Sequence, residues 1–245
     1  EITRRGCTDN DVVIAVKYAG ICHSDIHTVK EEWGPVVFPI VPGHEIAGHV
    51  VAVGKNVNKF TVGQTVGVGC MVGSCSNCPS CLKGEEQYCT GGGMIGTYNS
   101  KAKYPHMAEY NDEGGATTYG GYSQSIVVDK DFVLSIPENL DLAAAAPLLC
   151  AGITTYSPLM SFGVRPNHKV AICGLGGLGH MGAKLAVAMG CHVTIISRGN
   201  AKKENALTVL KVHDYIDSTN EDEFKAANGR FDFILDCISA AHDMG

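Results

Sequence analysis

Lys169-Val170-Ala171-Ile172-Cys173-Gly174-Leu175-Gly176-Gly177-Leu178-Gly179 is a short, mostly apolar run followed by glycines spaced G-x-G-x-x-G. Alone, such a spacing is weak. Here it follows a strand-type run and opens a helical pattern over 179–189, the context that dinucleotide binding requires. The glycines permit a tight turn and let a pyrophosphate approach the helix N-terminus closely. Gly174, Leu175, Gly176, Gly177, Leu178 and Gly179 are therefore candidate cofactor-binding residues. Downstream, strand patterns at 192–196 and 231–235 flank a helical pattern at 201–210. This alternation predicts βαβ units in a parallel sheet.

The second strand ends in Thr194-Ile195-Ile196-Ser197-Arg198, where an NAD-binding chain carries an acidic residue for the ribose 2′-hydroxyl. A carboxylate there repels a 2′-phosphate. Ser197 can hydrogen-bond such a phosphate, and Arg198 and Lys202 can neutralise it. NADP(H) is the expected cofactor, and Lys203 reads as part of a solvated helix start.

Toward the N-terminus the texture changes. From 11 to about 70, short β-type runs such as Val12-Val13-Ile14-Ala15-Val16 and Val50-Val51-Ala52-Val53 are broken by Gly, Pro and Asn, an all-β signature. A Gly-, Cys-, Ser- and Asn-rich stretch over 70–122 reads as a long loop that needs something to hold it. Strand patterns return at 124–128 and 132–136, and 142–159 reads as one helix. The expected organisation is an all-β domain over 1–150 and a partial Rossmann doubly wound parallel sheet over 151–245, α/β in class.

With 45% hydrophobic and 18% charged residues, the 245-residue chain can bury a core. A net charge of -6 and scattered basic residues argue against nucleic acid or an anionic membrane surface as partner. The longest apolar run, 142–151, is far short of a membrane span. Small molecules are the expected partners.

Of the eleven cysteines, Cys7, Cys70, Cys173, Cys191 and Cys237 stand singly and read as small buried hydrophobes. Cys75, Cys78 and Cys81 are three apart and Cys89 follows eight residues later, the spacing by which a tight turn gathers thiolates around zinc. Four cysteine ligands close the coordination sphere, so such an ion is structural. An iron–sulfur cluster is the rival occupant, and free thiols are the bland alternative. Three further residues stand in unusual settings: Cys22 in Gly20-Ile21-Cys22-His23-Ser24-Asp25, His44 in Gly43-His44-Glu45, and Cys150 in Pro147-Leu148-Leu149-Cys150. Two Cys and one His with a fourth position open is a catalytic zinc arrangement.

Gly43-His44-Glu45-Ile46-Ala47-Gly48 with Gly54, the cysteine cluster and the glycine turn together resemble the medium-chain, zinc-dependent alcohol dehydrogenases. Val68-Gly69-Cys70-Met71-Val72, Gly96-Thr97-Tyr98-Asn99, Gly120-Gly121-Tyr122-Ser123 and Ala146-Pro147-Leu148-Leu149-Cys150-Ala151-Gly152 look similar to the cinnamyl alcohol dehydrogenase-like aldehyde reductases. The resemblance covers essentially the whole chain. It implies a GroES-like β-barrel domain before the dinucleotide fold, and two zinc ions per chain. It implies Cys22, His44 and Cys150 as catalytic zinc ligands, Glu45 as an occasional alternative, and Asp25 as the residue that orients His44. It also implies a proton relay from Ser24 through the cofactor ribose to His27. A ligating imidazole needs an acceptor on its other nitrogen, and a His near neutrality can take a proton from a hydroxyl. His23 and His49 read as surface or packing residues.

The expected chemistry is hydride transfer between NADPH and an aldehyde or primary alcohol, with zinc as Lewis acid on the oxygen. Trp33 reads equally as a residue of the pocket near the zinc or as a core residue, and resemblance places Met71 more weakly at that pocket, whose large apolar lining would suit aromatic or medium-chain aliphatic aldehydes. An NAD-linked alcohol or polyol dehydrogenase and an inactive zinc- and nucleotide-binding fragment are the competing readings. A doubly wound sheet has six strands and about four are counted here, so roughly 60 or more residues are expected beyond position 245. The resemblance places a return segment and a homodimer edge there, and a short stretch before position 1. A cytoplasmic location is expected.

Overall fold

The β-branched run Val12-Val13-Ile14 within Asp11–Ala19 favours an extended chain and forms β1, whose Val12 and Ile14 are fully buried. The structure is a computed structural model that describes residues 2–101, 103–104 and 117–242. These divide into two units, Glu1–Cys150 and Ala151–Gly245.

In the first unit, β1 leads into α1 (His23–Val29), then β2 (Ile46–Val53), β3 (Thr65–Val68), β4 (Met71–Gly73), β5 (Ile95–Gly96), β6 (Ser125–Asp129), β7 (Leu134–Ser135) and α2 (Leu142–Ala145). An antiparallel five-stranded sheet runs β6-β1-β2-β3-β7, and β4 pairs with β5 separately. The register pairs Ala15 with His49 and Ile14 with Ile126. Ile46, Val50, Val66, Val68, Ile126 and Val128 join Val12 and Ile14 in one core, completed by Phe60, Val72 and Ile95. Each such side chain contributes about 1.5–3 kcal/mol by leaving water. Of the loop expected over 70–122, residues 102 and 105–116 lie outside the described residues.

The helix expected over 142–159 is broken. Asp141 caps α2 by accepting from the Ala144 amide at 2.8 Å, and a tight 3₁₀ turn over Ala146–Leu149 follows. Cys150 then leaves helical geometry at φ -130°, ψ -74°, and α3 (Ala151–Ser161) begins at the next residue. Pro147 has no N–H for a continuous helical ladder, which favours the change of winding.

In the second unit, β8 (Lys169–Cys173), α4 (Gly177–Ala188), β9 (His192–Ser197), α5 (Lys203–Thr208), β10 (Asp214–Asp217), α6 (Glu221–Ala226) and β11 (Phe233–Asp236) follow α3. The four strands are parallel in the order β10-β9-β8-β11, so the chain steps outward one way and then reverses across β8. That reversal beside β8 is a topological switch point, where open α/β sheets take their ligands. Val170, Ile172, Val193 and Ile195 bury one face of the sheet with Leu159, Ala183 and Ala186. Among the described residues, no single helix is long and apolar enough to cross a membrane.

Candidate metal centres and dinucleotide turn

Cys75, Cys78, Cys81 and Cys89 are gathered by two short 3₁₀ turns, Cys81–Lys83 and Glu86–Tyr88. Each cysteine is 8% exposed. Sγ of Cys81 lies 3.8 Å from that of Cys75 and 3.4 Å from that of Cys78. Zinc–sulfur bonds of about 2.3 Å in a tetrahedron set sulfur atoms about 3.8 Å apart. All four sulfurs lie within 4.8 Å of one another, which leaves room for one ion, whereas iron–sulfur clusters spread their cysteines around several metal atoms. The backbone at Cys81 holds the Cys78 thiol down to about 5, and the backbone at Cys75 holds Cys89 at about 7. At Cys81 the Ser74 bond favours the thiolate, but burial and the Cys78 and Cys89 sulfurs outweigh it and push the thiol up to about 11, so a cation is needed to ionise the sulfurs together. The donors fit a closed zinc site.

The second set is assembled from three places in the first unit. Cys22 precedes α1, His44 and Glu45 lead into β2, and Cys150 follows the 3₁₀ turn after α2. One ligand atom from each lies within 4.8 Å of the others. Sγ of Cys22 and Cys150 are 4.0 Å apart, and Nε2 of His44 is 3.2 Å from Sγ of Cys150. Glu45 is 3% exposed, and its carboxylate occupies the space that a Cβ at Gly20 would fill at 1.9 Å. Only glycine at 20 leaves room for that acid beside the cysteines. This set also fits zinc, with sulfur, nitrogen and oxygen donors around one point.

Asp25 is the hub behind this set. Its Oδ1 accepts from Nδ1 of His44 at 3.1 Å and from the Gly43 amide at 3.0 Å. Its Oδ2 accepts from the Tyr122 hydroxyl at 2.7 Å and the Cys22 amide at 3.2 Å. Burial opposes its ionisation, but the bonds from His44 and Tyr122 prevail and hold the carboxyl at about 2. Burial likewise opposes charge on His44, and its bonds to Asp25 and Cys22 raise it to about 10. With zinc bound, the imidazole must give its Nε2 lone pair to the metal, so loading the site releases a proton.

The ligand set opens on a cavity of about 410 Å³ lined by Ser24, Thr28, Trp33, Cys70, Tyr98 and Asn99 among others. Ser24 Oγ accepts from Sγ of Cys22 at 3.4 Å. His27 stands further along α1, its ring stacked 4.9 Å from Trp33 and its Nδ1 paired with Glu32. The structure records no bond between Ser24 and His27 among the described residues. Trp33 is 66% exposed and belongs to the cavity rather than to a core. Met71 lies in β4 and is not among the lining residues.

Two residues that sequence reasoning passed over belong to this site. Tyr122 holds Asp25, and the glycines before it gave no sign of that role. Cys70 was expected to be a small buried hydrophobe, yet it is exposed at the cavity wall. Its place at the end of β3, where the strand gives way to the turn into β4, explains the exposure. Cys7 also departs from that expectation and is exposed near the N-terminus; Cys173 and Cys237 are half-buried, and Cys191 is buried.

In the second unit, Gly174 turns at φ +82° and Gly176 caps α4. A Cβ on Gly179 would sit 2.0 Å from the Gly174 carbonyl oxygen, so close packing of turn on helix requires glycine there. Gly176 and Gly177 face open space at the helix N-terminus, where amide N–H groups can receive a pyrophosphate. Nζ of Lys202 donates to the Leu175 carbonyl at 2.8 Å, which brings its charge to this turn. Leu175 is buried and anchors the turn, and Leu178 is half-buried in the first turn of α4. Ser197 ends β9 half-buried, and Arg198 beside it is exposed. The open cradle and the adjacent cations fit a phosphorylated dinucleotide.

The family model described as "Alcohol dehydrogenase GroES-like domain" matches residues 8–138. The chain is 52% identical over 244 residues to an NADP-dependent alcohol dehydrogenase C of Mycolicibacterium smegmatis, covering 100% of this chain and 67% of that protein. It is 48% identical to a mannitol dehydrogenase of Petroselinum crispum, covering 99% of this chain and 68% of that one. Among solved structures, a cinnamyl alcohol dehydrogenase from Sorghum bicolor superposes with a TM-score of 0.90 at 44% identity, over 98% of this chain and 65% of that one. A CAD from Helicobacter pylori complexed with NADP(H) gives 0.86 at 42%, over 97% and 64%. The chain thus spans about two thirds of the length of these relatives. Matching sequence, matching fold and two zinc-competent donor sets converge: the chain belongs to the zinc-dependent alcohol dehydrogenase family with a GroES-like domain.

Proposed function

We propose that this chain carries the catalytic part, and part of the cofactor site, of an NADPH-dependent aldehyde reductase that also works as an alcohol dehydrogenase. The observation that carries the proposal is the set Cys22, His44, Glu45 and Cys150 opening on a cavity of about 410 Å³. When bound, zinc supplies Lewis acidity toward a carbonyl or hydroxyl oxygen and NADPH supplies hydride.

The chain's own residues do the rest. Cys22, His44 and Cys150 hold the metal, with Glu45 in reach as an alternative ligand. Asp25 accepts the Nδ1 proton of His44 and so fixes the tautomer that leaves Nε2 for the metal. Ser24 Oγ, on the cavity wall beside Cys22, is the hydroxyl that would pass a proton to or from a substrate oxygen. Glu32 fixes Nδ1 of His27 and leaves Nε2 as the second proton-holding atom. Trp33, Pro35 and Tyr98 give the cavity an aromatic and apolar lining suited to aromatic or medium-chain aliphatic aldehydes. Gly176 and Gly177 receive the pyrophosphate, Gly174 and Gly179 shape and close-pack the turn that presents them, and Ser197, Arg198 and Lys202 supply a hydroxyl and positive charge for the 2′-phosphate. The cysteines needed as thiolates favour the reducing cytoplasm. Resemblance supports a homodimer of the full-length protein.

A mannitol dehydrogenase among the relatives favours one other reading, a polyol dehydrogenase. Both are tested by assaying the zinc-loaded chain, and its full reading frame, with NADPH and NADH against aldehydes and polyols. The expected result is reduction of aromatic aldehydes with NADPH, with kcat/KM for NADH lower by roughly tenfold or more, and narrowing of that gap in Arg198→Ala as a charge-assisted phosphate contact is lost. Strong NADH preference, or turnover that survives complete removal of zinc, sinks the proposal.

A further inference from the structure

The turn that carries the 2′-phosphate residues is tied down from the neighbouring strand. β9 ends at Ser197, and the chain passes through Arg198, Gly199 and Asn200 before α5. Gly199, at φ +67°, is held by both of its backbone polar groups. Its N–H donates to Oδ1 of Asp217 at 2.8 Å, and its carbonyl accepts from the Tyr215 hydroxyl at 2.7 Å. Both partners lie on β10. Oδ2 of Asp217 also accepts from Nδ2 of Asn200 at 3.3 Å. The amide and hydroxyl of Thr219 complete the shell on Oδ1 at 2.9 and 2.7 Å.

Asp217 is 8% exposed. An acid at this end of the sheet, left free, opposes a 2′-phosphate by charge. Here its oxygens accept from Gly199 and Asn200 of the turn and from Thr219 after β10, with Thr219 first among the groups that hold its carboxyl below the usual range; the charge remains, and its bonds to the turn hold the turn in place. The carboxylate is thereby turned into a brace.

We propose that Asp217, assisted by Tyr215, is a positioning residue for the adenosine-ribose end of the cofactor site: by fixing Gly199 and Asn200 it sets where Ser197 and Arg198 stand and so governs preference for a 2′-phosphate. The inference rests on the NADP(H) reading of those two residues. A loop fixed before binding does not have to be ordered by the ligand, and the saving falls on the part of the ligand that the loop touches.

The test is calorimetric titration of the 245-residue chain with 2′,5′-ADP and with 5′-AMP, which share the adenosine but not the 2′-phosphate. In Asp217→Ala the dissociation constant for 2′,5′-ADP is expected to rise about tenfold, with less than about a twofold change for 5′-AMP. Asp217→Asn keeps an oxygen for the Gly199 and Thr219 amides and should retain most of the discrimination. Tyr215→Phe removes one hydroxyl only, so it gives the same selective loss in smaller measure should Asp217→Ala not fold. Equal weakening toward both ligands, or no weakening, overturns the inference. A wild-type chain that binds 5′-AMP as tightly as 2′,5′-ADP overturns the NADP(H) reading itself, and the inference with it.

Discussion

Cys150→Ser is expected to cost one zinc ion per chain and to reduce NADPH-linked aldehyde turnover by about a thousandfold or more. The substitution exchanges a sulfur for a smaller oxygen at a site that is already polar, so the surrounding fold should persist. It removes a thiolate whose sulfur stands 4.0 Å from Cys22 and 3.2 Å from Nε2 of His44. Neutral hydroxyl oxygen is a poor replacement for thiolate on zinc. Lewis-acid stabilisation of developing charge is worth several kcal/mol, and about 4 kcal/mol corresponds to roughly three decades in rate. Metal analysis and turnover measured on the same preparation check it. A variant that keeps its full zinc complement and wild-type turnover removes Cys150 from the metal site.

Cys81→Ser should produce the largest loss of stability. The Cys81 sulfur lies 3.8 Å from that of Cys75 and 3.4 Å from that of Cys78, and it also donates to Ser74 at 3.3 Å. The two turns bury little apolar surface of their own: Leu82 and Tyr88 on them are 75% and 67% exposed. Structural zinc in comparable peptides binds with about 10–16 kcal/mol of apparent free energy. Domains have only about 5–15 kcal/mol of total stability, so loss of this ion approaches the whole margin. The expected observations are one zinc lost, a melting temperature lower by about 10 °C or more, and first proteolytic cleavage between residues 74 and 96. Wild-type melting with zinc at half occupancy contradicts the structural role.

The sites differ in how they were visible in the sequence. The glycine turn and β8 could be read to the residue because an apolar strand, a glycine spacing and a helix pattern all agreed over a dozen positions. The cysteine cluster was equally plain because its ligands sit within one short loop. Cys22, His44 and Cys150 are distant in sequence, so their residue types suggested a zinc set, only resemblance assigned them as its ligands, and the structure brings their donor atoms together. The break after α2 that delivers Cys150 was hidden because the segment is apolar and alanine-rich throughout. Periodicity reports which face is buried, not where a 3₁₀ turn ends.

Short polar elements were missed for a different reason. α1 has seven residues with Asp25 as its only buried side chain, and α6 has six with none. Neither presents an apolar stripe, and each is started by capping instead: the Cys22 amide on Asp25, and Asn220 accepting from the amides of Asp222 and Glu223. β10 has four residues ending in the aspartate that braces the neighbouring turn, a role that no local pattern announces. Tyr122 is the same case at the metal site. Residues that act on another residue's position carry no spacing signal of their own.

The central claim is that one chain holds two single-ion zinc sites of different composition, one closed by four thiolates and one left open by two thiolates and an imidazole. X-ray absorption at the zinc edge, on the chain loaded with two equivalents, tests it most directly. The expected average is about three sulfur neighbours per zinc at about 2.3 Å with a minor nitrogen shell at about 2.0–2.1 Å. A shell dominated by oxygen and nitrogen, or a metal content of iron with sulfide, contradicts the account.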